Sequence, residues 1–171
     1  MIDLEDYIRI IPDFPKPGVV FKDITPLLGN VEASTACLEQ LVALTNGRTI
    51  DKVVGVESRG FFFGMLLAQR LGAGFVPVRK PGKLPGATLK EPYELEYGWD
   101  VLEIHEDAIS KGDKILIHDD VLATGGTAKA TCKLVEKLGG DIVQCNFVME
   151  LNFLDGKDRL KKYEVASVLQ Y

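Results

Sequence analysis

The residues of this chain whose types and spacing best suit chemistry run Asp119-Asp120-Val121-Leu122-Ala123-Thr124-Gly125-Gly126-Thr127. Ahead of them Ile115-Leu116-Ile117-His118 reads as a short buried strand, and Gly126–Leu138 reads as a helix. The segment is therefore a strand, a loop and a helix, with two acids at the strand's carboxyl end. Open α/β sheets bind ligands at that end. A helix start offers unpaired N–H groups and a partial positive charge, which suit a phosphate. Gly125 and Gly126 let backbone approach a ligand closely, while Thr124 and Thr127 add hydroxyl donors. Ala123, Thr124, Gly125, Gly126 and Thr127 form the expected phosphate cradle. Ionised carboxylates only accept hydrogen bonds, so Asp119 and Asp120 suit a pair of ligand hydroxyls such as a ribose cis-diol. Phosphate and diol together describe a ribose 5-phosphate. Taken singly the parts have plainer uses: Asp120 or Thr124 could cap the helix, and the glycines could make a tight turn.

Glu57-Ser58-Arg59-Gly60 is a second strand–loop–helix turn, an amide-rich anion site to which Arg59 adds a fixed charge. Glu57 is awkward beside an anion unless a cation or water lies between them. Residues 81–98 hold three prolines and three glycines, a length that in a compact domain marks a functional or mobile loop. Arg79, Lys80 and Lys83 lead into it, and surface solvation is the ordinary use of a lysine such as Lys83. Rival phosphate motifs are lacking: no Gly-Lys-Ser/Thr ends a P-loop, and Gly72-Ala73-Gly74 runs into Pro77 and a strand instead of a helix.

The elements that must position these residues alternate. Strands are expected over residues 51–56, 75–79, 114–118 and 142–150, with helices over Val31–Leu44, 61–71 and Gly126–Leu138, the last stopped by Gly139-Gly140. That order predicts an α/β fold with a central, mostly parallel sheet flanked by helices, in one domain over residues 1–171. Hydrophobic residues make up 46% and charged residues 26%, and the net charge is −5 without a basic block. Nucleic acid is thus an unfavoured partner. The longest apolar run, residues 61–68, is too short to span a membrane, and the acidic residues 1–9 do not resemble a signal peptide. Cys37, Cys132 and Cys145 form no CxxC, and reduced thiols in a soluble cytoplasmic protein are expected. His105 and His118 read as structural.

The segment from Ile115 to Thr127 resembles the signature of the type I phosphoribosyltransferases, and most specifically the branch of that family that uses adenine. Further blocks carry the likeness across the chain: residues 12–24, Glu57-Ser58-Arg59-Gly60-Phe61, residues 79–86, Leu95-Glu96-Tyr97-Gly98 and Leu169-Gln170-Tyr171. The resemblance implies the type I fold, with a small N-terminal base-binding hood over about residues 1–30 and a lid loop over about residues 81–98. It implies transfer of 5-phosphoribose from its 1-diphosphate (PRPP) to adenine, giving AMP and diphosphate, in a homodimer. It assigns pyrophosphate contacts to Glu57, Ser58, Arg59, Arg79, Lys80 and Lys83, with Arg79 a candidate for reaching across from a neighbouring subunit. The loop at Glu57 often holds a non-proline cis peptide in the family. Pro81 stands where a basic residue is commoner, which leaves the loop's contacts open.

By the same resemblance Glu96 is the acid/base facing the purine, although Glu91 and Glu94 lie nearby. A carboxyl under a closed lid suits that role because enclosure raises its pKa toward neutrality. Val20, Phe21 and Lys22 would clamp the base, with Phe21 stacked on it and Val121 on its other face. Taken alone, Phe21 suits core packing equally well. Mg²⁺ is implied through substrate oxygens and water, with Asp119 and Asp120 the protein carboxylates it could reach. Two other readings stay open: a phosphoribosyltransferase for another purine, and a non-catalytic regulator that senses PRPP.

Overall fold

The structure is a computed structural model describing residues 2–94 and 98–171. It divides into two compact units, Met1–Gln40 and Leu41–Tyr171. In the first, β1 (Arg9–Ile11) and β2 (Phe21–Asp23) form an antiparallel pair, followed by the short helix α1 (Thr25–Leu28). The Pro-rich opening therefore carries a hairpin. Phe14 packs edge-on to Phe21 at 5.2 Å between ring centroids. Helix α2 spans Val31–Leu44, as its apolar spacing predicts.

The second unit is built on a sheet of five parallel strands among the described residues. These are β3 (Lys52–Val56), β4 (Gly74–Val78), β7 (Lys114–Leu122), β8 (Asp141–Glu150) and β9 (Val165–Gln170), in the order β4-β3-β7-β8-β9. Helix α3 (Gly60–Leu71) follows β3 and helix α4 (Gly126–Leu138) follows β7. The central strands are apolar because they are covered on both faces. Ile115, Leu116 and Ile117 are fully buried, each contributing about 1.5–3 kcal/mol before conformational entropy is charged against it. Helix α4 stops where the two glycines predict: Gly139 is left-handed with φ 85°, and Gly140 N–H reaches back to the Val135 carbonyl. The three cysteines are free buried thiols. No helix among the described residues is long and apolar enough to cross a membrane.

Two expectations are corrected. Strand β7 does not end at His118. Its pairing with β3 stops there, at Gly55↔His118, but its pairing with β8 continues through Asp119↔Phe147 to Leu122↔Glu150. The acids are thus strand residues standing beyond the end of β3. Nor are residues 81–98 irregular throughout. They include β5 (Thr88–Glu94), which pairs in seven antiparallel positions with β6 (Trp99–His105). Glu91 and Tyr93 are buried on the face of β5 turned to α4, and Pro92, which has no N–H to give, lies between them on the exposed face. Carboxylate Glu91 is held by Lys133 (2.8 Å) and Lys137 (2.7 Å), which fastens the ribbon to α4.

Candidate active site

The turn after β7 forms a cavity lined by Asp119, Val121, Leu122 and Ala128 together with the five expected cradle residues, Ala123, Thr124, Gly125, Gly126 and Thr127. Gly125, with φ 80°, is the N-cap residue of α4, and no side chain caps the helix. Neither Asp120 nor Thr124 has taken that role, so the plainer use of these residues is excluded. The first-turn amides of α4 remain directed at the cavity, where an anion can accept from them.

Adjacent strand residues point to opposite faces, so the two acids separate. Asp119 lines the cavity. Asp120 is 4% exposed and its Oδ2 is ion-paired with Nε of Arg59, the N-cap of α3. Asp120 N–H donates to Asp119 Oδ1 at 2.9 Å. Burial, and next the charge of Asp120, push the Asp119 carboxyl well above the usual carboxylate range. Asp119 forms no ion pair among the described residues, whereas Asp120 does. The start of α3 approaches this pair so closely that a Cβ on Gly60 would lie 2.8 Å from Asp119 Oδ1 and 3.0 Å from the His118 carbonyl oxygen. Only glycine admits that contact. His118 is buried behind it with Nδ1 2.8 Å from Asn146 Oδ1, and burial lowers its pKa to about 4. It stays neutral near pH 7 and is structural, as its position in the strand suggested.

The Glu57–Ser58 peptide is cis. The Ser58 carbonyl accepts from Phe61 N–H as α3 begins. The Glu57 carboxylate accepts from Lys80 N–H (2.9 Å), Arg79 Nε–H (3.3 Å) and the Lys83 ammonium. Burial opposes its ionisation, but these three donors hold its pKa below the usual range. The cations that Glu57 needs are therefore Arg79 and Lys83 themselves. The Arg79 guanidinium also lies 5.9 Å from the centre of the Phe61 ring. Lys80 departs from its group: its ammonium binds Asp100 at 2.8 Å, and Tyr93 Oη donates to the same carboxylate at 3.0 Å. Asp100 and Tyr93 escaped the sequence reading. The available signal was their register, since they face each other across the hairpin.

Glu96 lies outside the described residues. Of its two rivals, Glu91 is buried and doubly paired, which removes it as a mobile acid/base, while Glu94 is exposed at the end of β5. Val20, Phe21 and Lys22 lie at and beside β2 in the N-terminal unit. Among the described residues no group of three or more His, Cys, Asp or Glu side chains could hold a metal alone.

Residues 25–170 match the phosphoribosyl transferase domain. The chain belongs to the phosphoribosyltransferase family. The adenine phosphoribosyltransferase of Flavobacterium johnsoniae is 67% identical to it over 168 residues, covering 98% of this chain and 99% of that protein. The crystal structure of adenine phosphoribosyltransferase from Thermoanaerobacter pseudethanolicus matches with a TM-score of 0.96 at 52% identity, covering 99% of this chain and 100% of that one. The Saccharomyces cerevisiae enzyme, solved with an imino-altritol bisphosphate and adenine, matches with a TM-score of 0.92 at 44% identity, covering 97% and 96%.

Proposed function

We propose that the chain transfers 5-phosphoribose from 5-phospho-α-D-ribose 1-diphosphate to N9 of adenine, giving AMP and diphosphate. The observation that carries this reading is a single cavity in which the carboxylate of Asp119 faces the uncapped amides and hydroxyls of residues 123–127. Adenine as the base follows the relatives, which are 53–67% identical to this chain over nearly its full length.

The C1–O bond breaks with its electron pair passing to diphosphate, and the N9 lone pair closes the C1–N9 bond. The ribose ring becomes oxocarbenium-like between these events. Asp119, with Asp120 behind it, opposes that positive charge and accepts from ribose hydroxyls. Arg59, Arg79 and Lys83 stabilise the negative charge of the leaving group, and Lys80 presents its backbone amide beside Glu57 while its side chain, bound to Asp100, steadies the β5–β6 ribbon near the end of β5. Glu96 takes the proton that the purine loses. The N-terminal unit is the base-binding hood: Phe21 stacks on the purine, and backbone at Val20 and Lys22 reads its edge. A carbonyl there accepts from the exocyclic amine of adenine and repels a keto oxygen. The donor set fits Mg²⁺ held mostly by substrate oxygens, with Asp119 the carboxylate that lacks an ion pair. When bound, the ion neutralises diphosphate charge. The segment over about residues 81–98 is the lid that keeps water from the activated sugar.

A pyrophosphate-release assay with adenine, hypoxanthine, guanine and xanthine tests substrate and acid/base role together. Adenine is expected to exceed the others by roughly 10⁴-fold in kcat/KM, because a mismatched base leaves buried polar groups unpaired. Glu96→Gln is expected to lower kcat with adenine by about 10²-fold. Comparable turnover of all four bases would refute the adenine assignment, and full turnover by Glu96→Gln would free that residue from its role.

A homodimer is supported by the outer face of α3, where Phe62, Met65 and Leu66 are 50%, 54% and 42% exposed at helical spacing. Arg79, over the Phe61 ring at the start of α3, is the residue that this reading has reach into a neighbouring subunit. Sedimentation at micromolar concentration is expected to show twice the 18.8 kDa chain mass, and Met65→Glu to return it to one. A wild-type monomer would remove this proposal. Free thiols at all three cysteines support a reducing, cytoplasmic setting.

A further inference from the structure

After β8 the chain makes two 3-10 turns, Asn152–Leu154 and Gly156–Leu160, joined by Asp155 at φ 50°. Neither belongs to the sheet or to any residue set discussed above. Yet Gly156 lies directly beneath the phosphate cradle. A Cβ on Gly156 would stand 2.0 Å from the Ala123 carbonyl oxygen and 3.1 Å from the Gly125 nitrogen. A Cβ on Gly125 would in turn stand 2.4 Å from the Gly156 carbonyl oxygen. Backbone meets backbone there, and no side chain of any size fits at either position. On the cradle's other flank a Cβ on Gly126 would lie 3.1 Å from the Glu94 carbonyl oxygen. The loop is thus clamped between the turn and the end of β5.

The turn is itself anchored. Lys157 Nζ binds Glu150 Oε2 at 3.0 Å, and buried Glu150 also accepts from Ser167 Oγ at 3.3 Å. Leu160 is fully buried in the core cluster. Leu151 N–H donates to the Leu122 carbonyl at 2.9 Å, and Asn152 N–H to the Tyr171 carbonyl at 2.7 Å. A short stretch beginning at the end of β8 therefore ties β7, β9 and the cradle to one rigid support.

We propose that Gly156 is a positioning residue for the 5′-phosphate. The bare backbone of the turn it opens fixes where the amides and hydroxyls of residues 123–127 stand, and Lys157–Glu150 holds that turn in place. The inference rests on the phosphate reading of the cavity. Its consequence is selective: moving the turn weakens ligands that carry a 5′-phosphomonoester and spares those that do not. Displacing a binding loop by about 1 Å is enough to cost up to 10²-fold.

The test compares wild type, Gly156→Ala, Lys157→Met and Lys157→Arg by calorimetric titration with ribose 5-phosphate and with inorganic pyrophosphate. KM for PRPP and the melting temperature are measured alongside. Gly156→Ala is expected to weaken ribose 5-phosphate by about 10- to 100-fold, raise KM for PRPP to match, and leave pyrophosphate within about twofold. Lys157→Met removes the anchor without adding bulk, so it is expected to weaken ribose 5-phosphate about threefold, and Lys157→Arg to restore it. A folded Gly156→Ala that binds ribose 5-phosphate normally, or loses both ligands equally, overturns the proposal. So does an unchanged Lys157→Met where Gly156→Ala does not fold. Failure of the wild type to bind ribose 5-phosphate would instead overturn the phosphate reading of the cavity.

Discussion

Replacing Asp119 by asparagine is expected to lower kcat/KM by about 10²–10³-fold while raising the melting temperature at neutral pH. The two effects have one origin. Asp119 is desolvated next to a second carboxylate, which raises its pKa well above the usual value. A carboxyl whose pKa is raised on folding favours the folded state fully only below its unfolded pKa of about 4, and that contribution is lost as pH rises through the folded value. Near neutrality the folded state has therefore lost the contribution that the raised pKa gives it at low pH. Asparagine keeps the shape and removes the charge. In the proposed reaction the same charge opposes a cationic ribose, so removing it sacrifices that step. Thermal melts at pH 4 and pH 7.5, with steady-state rates, check the pair of effects. The stability gain should be present at the higher pH and absent at the lower one. Turnover within threefold of wild type would show that Asp119 does not act on the sugar. Asp120→Asn should behave oppositely in stability: its carboxylate is compensated by Arg59, so neutralising it removes a part-buried ion pair and lowers the melting temperature.

That contrast between neighbours was not legible in the sequence, where two adjacent acids looked like one unit gripping one diol. The apolar run Ile115–Ile117 by itself marks a strand that stops at His118, ahead of the acids. The register that carries β7 on through Asp119 and Val121 belongs to Phe147 and Met149, almost thirty residues away. The turn between β7 and α4 was legible, since its signal is local: a strand end, two glycines, two threonines and a helix start within nine residues. So were the bounds of α2 and α4, which rest on spacing and on Gly139. The hairpin at residues 88–105 was hidden by prolines and glycines that normally signal a loop. What stabilises it is long-range, through Glu91 with Lys133 and Lys137 and through Tyr93 and Asp100 with Lys80. Gly156 is the extreme case. A lone glycine near the end of a chain carries no local signal, and only the approach of another backbone explains it.

Arg59→Gln is the other substitution from which a large effect is expected, and it separates two tasks held by one side chain. Arg59 starts α3, is 47% exposed along its side chain, and closes an ion pair with Asp120, whose side chain is only 6% exposed. In the proposed reaction this half-exposed guanidinium meets a diphosphate, and the same side chain compensates a buried acid. Glutamine retains a donor for Asp120 but no charge. The pair should then lose about 1–2 kcal/mol of stability, less than a wholly buried pair because solvent screens the arginine. Loss of a fixed cation from the developing diphosphate should lower kcat by about 10²-fold and raise KM for diphosphate in the reverse reaction. Arg59→Gln combined with Asp120→Asn distinguishes the tasks, because neutralising both members removes the uncompensated acid. Stability should recover toward wild type while KM for diphosphate stays high, a coupling that a double-mutant cycle measures directly. If the double variant regains diphosphate affinity, Arg59 acts only through Asp120. If affinity stays lost after the melting temperature has recovered, the guanidinium meets the leaving group itself, and the turn at residues 57–60 is the anion site that its sequence suggests.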